Sequence, residues 1–195
     1  MKKIFLLFVA VLFAAACNVK PTAQVQETQP VSDNQKILVA YFSATGTTKK
    51  VAENLAKAIQ ADIYEIKPVA PYTSADLNYR DHNSRSYVEM HDKNARPGII
   101  ADNLSVSDYD TIFLGFPIWW GTAPSVVHTF LEQYDFSNKK IIVFATSGSS
   151  SIGNTDEDLK PSVSPSAKVV KGNCSGHSGV TPSGVSSRMT PREVK

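Results

Sequence analysis

Five short apolar runs recur along the chain, and polar or amphipathic stretches separate them. Lys36–Phe42 (KILVAYF), Asp110–Phe116 (DTIFLGF) and Lys140–Ala145 (KIIVFA) are apolar almost throughout, without strict alternation. Such runs fit strands covered on both faces, as in a parallel sheet. Ile63–Ile66 and Ala167–Val170 are shorter strand candidates. Between them, Thr48–Gln60 puts Val51, Leu55, Ala58 and Ile59 on one helical face, with Lys49, Lys50, Glu53 and Lys57 elsewhere. Ser125–Tyr134 turns Val126, Val127, Phe130 and Leu131 inward, Ser84–Asp92 has helical character, and Asp156–Leu159 starts a short helix. Strand and helix in alternation predict a doubly wound α/β fold, whose ligands bind at the carboxyl ends of its strands.

Three loops follow strands and therefore share that edge. The first is Ser43-Ala44-Thr45-Gly46-Thr47-Thr48, which opens a helix. Unpaired N–H groups and the helix dipole attract an anion there, and short hydroxylated side chains let it approach, so the loop reads as a phosphate cradle. An ordinary N-cap is the alternative, because Ser and Thr favour helix starts. Neither the G-x-x-x-x-G-K-[ST] loop nor the G-x-G-x-x-G turn is present. The second loop, Pro117-Ile118-Trp119-Trp120-Gly121, carries two adjacent tryptophans. They suit the wall of a planar ring, or else one is core and one rim. The third, Thr146–Gly153, holds Ser147, Gly148, Ser149 and Ser150. A phosphate cradle beside an aromatic wall suggests a mononucleotide, and specifically a flavin.

The motifs YFSATGTT (Tyr41–Thr48), PIWWGTAP (Pro117–Pro124) and TSG followed by a Ser/Gly loop occur in order from Lys36 to about Gly153. That segment resembles the short-chain group of the flavodoxin family. The resemblance implies a flavodoxin-like five-stranded parallel sheet that binds FMN non-covalently. It implies that Ser43, Ala44, Thr45, Gly46, Thr47 and Thr48 hold the phosphate. Pro117, Ile118, Trp119, Trp120 and Gly121 would flank the ring, and Ser147, Gly148, Ser149 and Ser150 would line its other side. No catalytic side chain or metal is implied. The chemistry is electron transfer with partner proteins, the cofactor carrying it and the protein tuning it. An FMN-dependent NAD(P)H:quinone-type reductase and a non-redox binding module of the same fold are the competing readings. The family's last helix is expected to be missing or truncated, since residues 172–195 are Gly- and Ser-rich until Thr190-Pro191.

The amino terminus adds a location. Lys2 and Lys3 precede the apolar stretch Ile4–Ala16, too short to span a bilayer comfortably, which closes on Ala14-Ala15-Ala16-Cys17. This resembles a bacterial lipoprotein signal with Cys17 as the lipidated residue; an ordinary signal peptide or an uncleaved anchor are the alternatives. Residues 18–35 read as a flexible linker, 36–171 as the domain and 172–195 as an atypical tail. The expected product is a monomeric, membrane-anchored lipoprotein of the cell envelope, on its periplasmic or surface side. Losing Lys2 and Lys3 from 20 basic residues leaves 18 against 18 acidic ones, which argues against a nucleic-acid partner. With Cys17 lipidated, Cys174 has no partner for a disulfide. His82, His91, His128 and His177 lack metal-ligand spacing. Arg80, Arg85, Glu89 and Arg96, in the long stretch Pro68–Pro97, are expected to form a solvated charged face.

Overall fold

The structure is a computed structural model that describes residues 36–176. The signal segment with Cys17, the linker 18–35, the candidate last helix and His177 lie outside the described residues.

Parallel strands β1 (Ile37–Tyr41), β2 (Asp62–Glu65), β3 (Thr111–Pro117), β4 (Lys140–Ser147) and β5 (Lys168–Gly176) form one sheet in the order β2-β1-β3-β4-β5. Strand order reverses between β1 and β3, and that switch point opens a crevice at the carboxyl edge. The continuous apolar runs are explained by burial on both sides. Leu38, Ala40, Ile112, Leu114, Ile141 and Val143 face one core, and Val39, Tyr41, Phe113, Ile142 and Phe144 face the other. Helix α1 (Thr47–Ile59) covers the second face, while α3 (Ser125–Gln133) and α4 (Thr155–Leu159) cover the first.

Two expectations about α1 and β5 need correction. On α1 the inward stripe is Thr48, Val51, Ala52, Leu55 and Ala56; Ala58 is exposed and Ile59 only partly buried. Small Ala52 and Ala56 face the sheet, and hydrophobicity alone gave them no advantage over their neighbours. Residues 172–176, assigned above to the tail, are the second half of β5 and pair with β4 beyond an irregularity in register. Gly172 sits at that irregularity. A Cβ there would come within 2.2 Å of the Val143 carbonyl oxygen, so the close approach of β5 to β4 requires glycine.

The stretch between β2 and β3 is ordered around α2 (Arg85–His91). Ser84 caps it by accepting from Tyr87 N–H, and the Arg85 side chain pairs with Glu89 at 2.6 Å and donates to the Ala70 carbonyl at 2.7 Å. Tyr72 donates to Glu89 and lies under the Arg85 guanidinium, 4.1 Å from its ring centroid. Arg96 reaches α3, donating from Nε and Nη2 to the two carboxylate oxygens of Glu132 at 2.7 and 2.8 Å. These charges tie the insertion down; for Arg85 and Glu89, which are partly buried, the solvated-face expectation is corrected, whereas Arg96 stays exposed while it pairs with Glu132.

Candidate functional site

All three loops meet at the carboxyl edge. The first wraps from β1 into α1, and its geometry decides against the ordinary N-cap. Residue Gly46 occupies the cap position with φ 86°, and no side chain caps the helix. Ser43 Oγ instead accepts from Gly46 N–H at 3.1 Å, which folds the loop on itself and leaves the helix N–H groups turned outward. The first turn of α1 has no acidic residue to neutralise the dipole; Lys49 and Lys50 stand there. Nothing lies within 4 Å of where a Gly46 Cβ would be, so the approach is open. Thr45 and Thr47 are exposed, their hydroxyls 3.4 Å apart. Thr48 is different, since its hydroxyl is buried and bonded to that of Thr146 at 2.8 Å. That bond braces the first loop against the end of β4.

In the second loop, Trp119 and Thr122 exchange both backbone hydrogen bonds at 3.0 Å. The two residues between them have positive φ, 45° at Trp120 and 85° at Gly121. This is the two-residue turn that wants glycine-like residues at both centres, and a bulky side chain at φ 45° is a strained exception. Strain of this kind clusters at binding loops. Its effect is to separate the tryptophans. Trp119 packs edge-on against Phe42 and Tyr72, whereas Trp120 is 42% exposed and meets Tyr87 and His91 edge-on.

A cleft of about 480 Å³ runs between these loops, bounded by Thr45, Gly46 and Thr47 on one side, Pro117, Ile118 and Trp119 along the floor, and Thr146, Ser147 and Gly148 opposite. A second, more apolar cavity of about 420 Å³ shares Thr45, Pro117, Ile118 and Trp119 with it and extends past Ala44 and Trp120 toward the insertion. Of the residues singled out by sequence, Ser149 and Ser150 stay outside both cavities and are exposed. Their N–H groups donate to Ser147 Oγ at 3.3 and 2.8 Å, shaping the third loop. Ser43, Thr48 and Gly121 line neither cavity. Sequence reasoning missed Lys50 and Ser175, which line the hydroxylated cleft, and Leu77, Tyr79 and Ser86, which wall the apolar one. A cation one turn into a helix behind a hydroxylated loop was a usable signal for Lys50. Ser175 carried none, lying in a Gly/Ser-rich stretch that resembled tail.

The burial pushes the Cys174 thiol above its ordinary range, and the thiol sits 3.5 Å from the Ser150 carbonyl oxygen.

The flavodoxin family model matches residues 36–183. The chain belongs to the flavodoxin family. Among solved structures, a chain from Bacteroides uniformis whose name calls it a flavoprotein is 44% identical. The match covers 79% of this flavodoxin-family chain and 97% of that one, with a TM-score of 0.72. A second, from Bacteroides eggerthii and similarly named, is 47% identical over 72% of this chain and 88% of its own, with a TM-score of 0.67. A flavoprotein from Lactobacillus acidophilus, solved in complex with FMN, shares the fold at 24% identity and a TM-score of 0.55, over 70% and 91% of the two chains. Among curated proteins none matches significantly.

Proposed function

We propose that this protein binds FMN non-covalently and transfers electrons through it, receiving them from or passing them to partner proteins. The observation that carries this is the uncapped, cation-flanked start of α1 opening into the same cleft as the Ile118–Trp119 wall. The residues suit the group. Phosphate fits the N–H groups and hydroxyls of Thr45, Gly46 and Thr47, with Lys50 alongside. A planar ring fits against Pro117, Ile118 and Trp119, opposite Ser147 and Gly148. The Lactobacillus acidophilus relative, itself an FMN complex, is consistent with that choice.

When bound, FMN supplies one- and two-electron chemistry. The protein's part is to hold and to bias. Its ring wall is apolar and uncharged, an environment that disfavours added negative charge on the ring and so lowers the potential at which it is reduced. The Thr48–Thr146 bond keeps the phosphate loop and the third loop in fixed register, so the cofactor meets a preorganised cleft. The proposal extends to location: Cys17 is lipidated, and the domain works as a monomer tethered to a membrane of the cell envelope through residues 18–35, with no nucleic-acid partner.

Titrating the purified chain into FMN tests the reading through flavin fluorescence. Quenching with micromolar or tighter affinity, and affinity for riboflavin weaker by at least about 100-fold because the phosphate contacts are absent, is the expected result. Equal affinity for the two would remove the phosphate cradle from the argument. The apolar cavity beside Trp119 favours a second reading, an FMN-dependent reductase of a small acceptor. Sustained NAD(P)H oxidation by the FMN-loaded protein, above that of free FMN, would select it over the carrier.

A further inference from the structure

We infer that Asp158, on α4, is a positioning residue for the ring wall. Through Thr122 it holds the Trp119–Thr122 turn in the strained form that sets Trp119 against the cleft. The inference rests on the FMN reading for what the wall receives, and on the geometry of the turn for the rest.

The first link is covalent and local. Trp119 belongs both to the floor of the cleft and to the turn. Its N–H donates to the Thr122 carbonyl, and its carbonyl accepts from the Thr122 N–H, each at 3.0 Å. Whatever fixes Thr122 therefore fixes Trp119. Thr122 Oγ1 donates to Asp158 Oδ2 at 2.9 Å. Among the described residues this is the one side-chain hydrogen bond made to any of the four residues of the turn.

The second observation is the need for such a tie. Trp120 has φ 45° and Gly121 φ 85°. A bulky residue at positive φ persists only where its surroundings over-determine it. Tyr87 and His91 meet the Trp120 ring edge-on and steady the first half of the turn. Asp158 secures the second half. The segment that carries it also reaches the turn at another point, since a Cβ on Gly153 would stand 3.5 Å from the Gly121 carbonyl oxygen.

The third is a firm anchor. A helix of five residues has little stability of its own, and the core holds this one. Thr155 and Leu159 are fully buried, and the Thr155 hydroxyl donates to the Ile152 carbonyl at 2.8 Å. Asp158 N–H donates to the Asn154 carbonyl at 3.0 Å. The two preceding carboxylates meet cations instead, Asp156 with Lys171 at 3.6 Å and Glu157 with Lys160 at 2.6 Å. Asp158 is the one whose hydrogen bond crosses to the second loop.

Without the tie the turn relaxes in a fraction of the molecules, and affinity for the ring falls in proportion to the fraction still competent. The phosphate contacts lie on the first loop, so FMN and riboflavin lose equally. The chain's two tryptophans are Trp119 and Trp120, so tryptophan emission reports the turn directly.

The test is a titration of each variant with FMN and with riboflavin, beside the tryptophan emission of the flavin-free chain. Asp158→Ala is expected to shift the emission and to weaken both flavins by about five- to tenfold, the loss of one hydrogen bond. Asp158→Asn keeps an acceptor oxygen and is expected to restore emission and both affinities. Thr122→Val, which breaks the bond from its other end, should match Asp158→Ala, and the double variant should be no weaker than either. Lys50→Met supplies the contrast, because it should weaken FMN and leave riboflavin as it was. Unchanged emission and riboflavin affinity in Asp158→Ala would overturn the proposal, even with a lowered urea midpoint, since Asp158 would then only support α4. Failure of Asp158→Asn to restore them, or additive losses in the double variant, would overturn it as well. Should Asp158→Ala not fold, Thr122→Val and Asp158→Asn decide by the same readouts. If the unmutated chain binds neither flavin, the FMN reading fails, and the emission of the flavin-free variants alone decides whether Asp158 sets the turn.

Discussion

Single residues set the tolerances of this site. Gly115 is the sharpest case, because a Cβ there would lie 2.1 Å from Cζ of the Phe144 ring, which covers the glycine from the neighbouring strand. Gly115→Ala must push that ring out of the core under α1, and overpacking of this kind costs about 1–3 kcal/mol. A lowered urea midpoint with unchanged m-value is the expected readout, and an unchanged midpoint would mean that Phe144 moves freely. In the Thr48–Thr146 pair, each hydroxyl is buried and each is the other's partner. Thr48→Val strands the Thr146 hydroxyl at about 1–3 kcal/mol, whereas changing both removes the need for a partner. The double variant is therefore expected to be more stable than the sum of the two single losses indicates, a non-additivity that a double-mutant cycle measures directly. Both single variants should also weaken FMN, since the two loops they join bound the cleft.

Among the elements, the insertion depends on ties that no local pattern announces. Tyr72 links Glu89 to Trp119, donating to the first and packing edge-on to the second with ring centroids 5.2 Å apart. Burial, and then the hydrogen bond to Glu89, push the Tyr72 phenol well above its ordinary range, so it remains a donor throughout the physiological range. Glu89→Gln leaves the Arg85 charge without its partner. It is expected to lower stability by about 1–3 kcal/mol, to speed amide exchange across Arg85–His91, and to shift the tryptophan emission through Tyr72. Emission and exchange both unchanged would show that α2 holds without this network. The same contrast explains what could be read in advance. β1, β3 and β4 were legible because a strand buried on both faces writes its burial into consecutive residues. The three loops were legible because helix starts and adjacent tryptophans carry their chemistry locally. The Arg85 contact to Ala70 and the Arg96 contact to Glu132 span 15 and 36 residues. No periodicity or spacing encodes them. β5 beyond Lys171 was hidden for another reason, as Gly172 and its polar successors satisfy a sheet edge without looking like a strand.

At the scale of the molecule, one clamp joins three segments that are distant in sequence, and pH should open it in two stages. Arg96 of the insertion holds Glu132 of α3, and Ser162 Oγ donates to the same carboxylate at 3.0 Å. With its proton committed there, Ser162 can only accept from His128 Nδ1, 2.8 Å away, so the imidazole is protonated on Nδ1 when neutral. Burial lowers the pKa of His128, with Arg96 adding to the effect and Glu132 and Asp158 opposing it. The folded chain thus resists a proton that the unfolded chain accepts near about pH 6.5. Where the unfolded state binds more protons, stability rises with pH. The His128 contribution is therefore complete above that unfolded value and is lost as pH falls through the lower folded one. Glu132 follows the same sign in a lower window. The hydrogen bond from Arg96 holds its carboxyl below the ordinary carboxylate range, so its contribution is present above the unfolded value and lost as pH falls through the folded one. Urea midpoints measured from pH 8 to pH 3 should show one decline beginning near neutrality and a second in the carboxylate range. His128→Gln is expected to flatten the first decline and leave the second. Arg96→Met is expected to shrink the second, because Glu132 then titrates nearer its ordinary value, and to weaken the first by removing the cation that opposes imidazolium. A wild-type curve flat between pH 7 and pH 5 would show that His128 charges without opening the clamp, and the three segments would then be held by the Arg96 and Ser162 bonds to Glu132 without help from the imidazole.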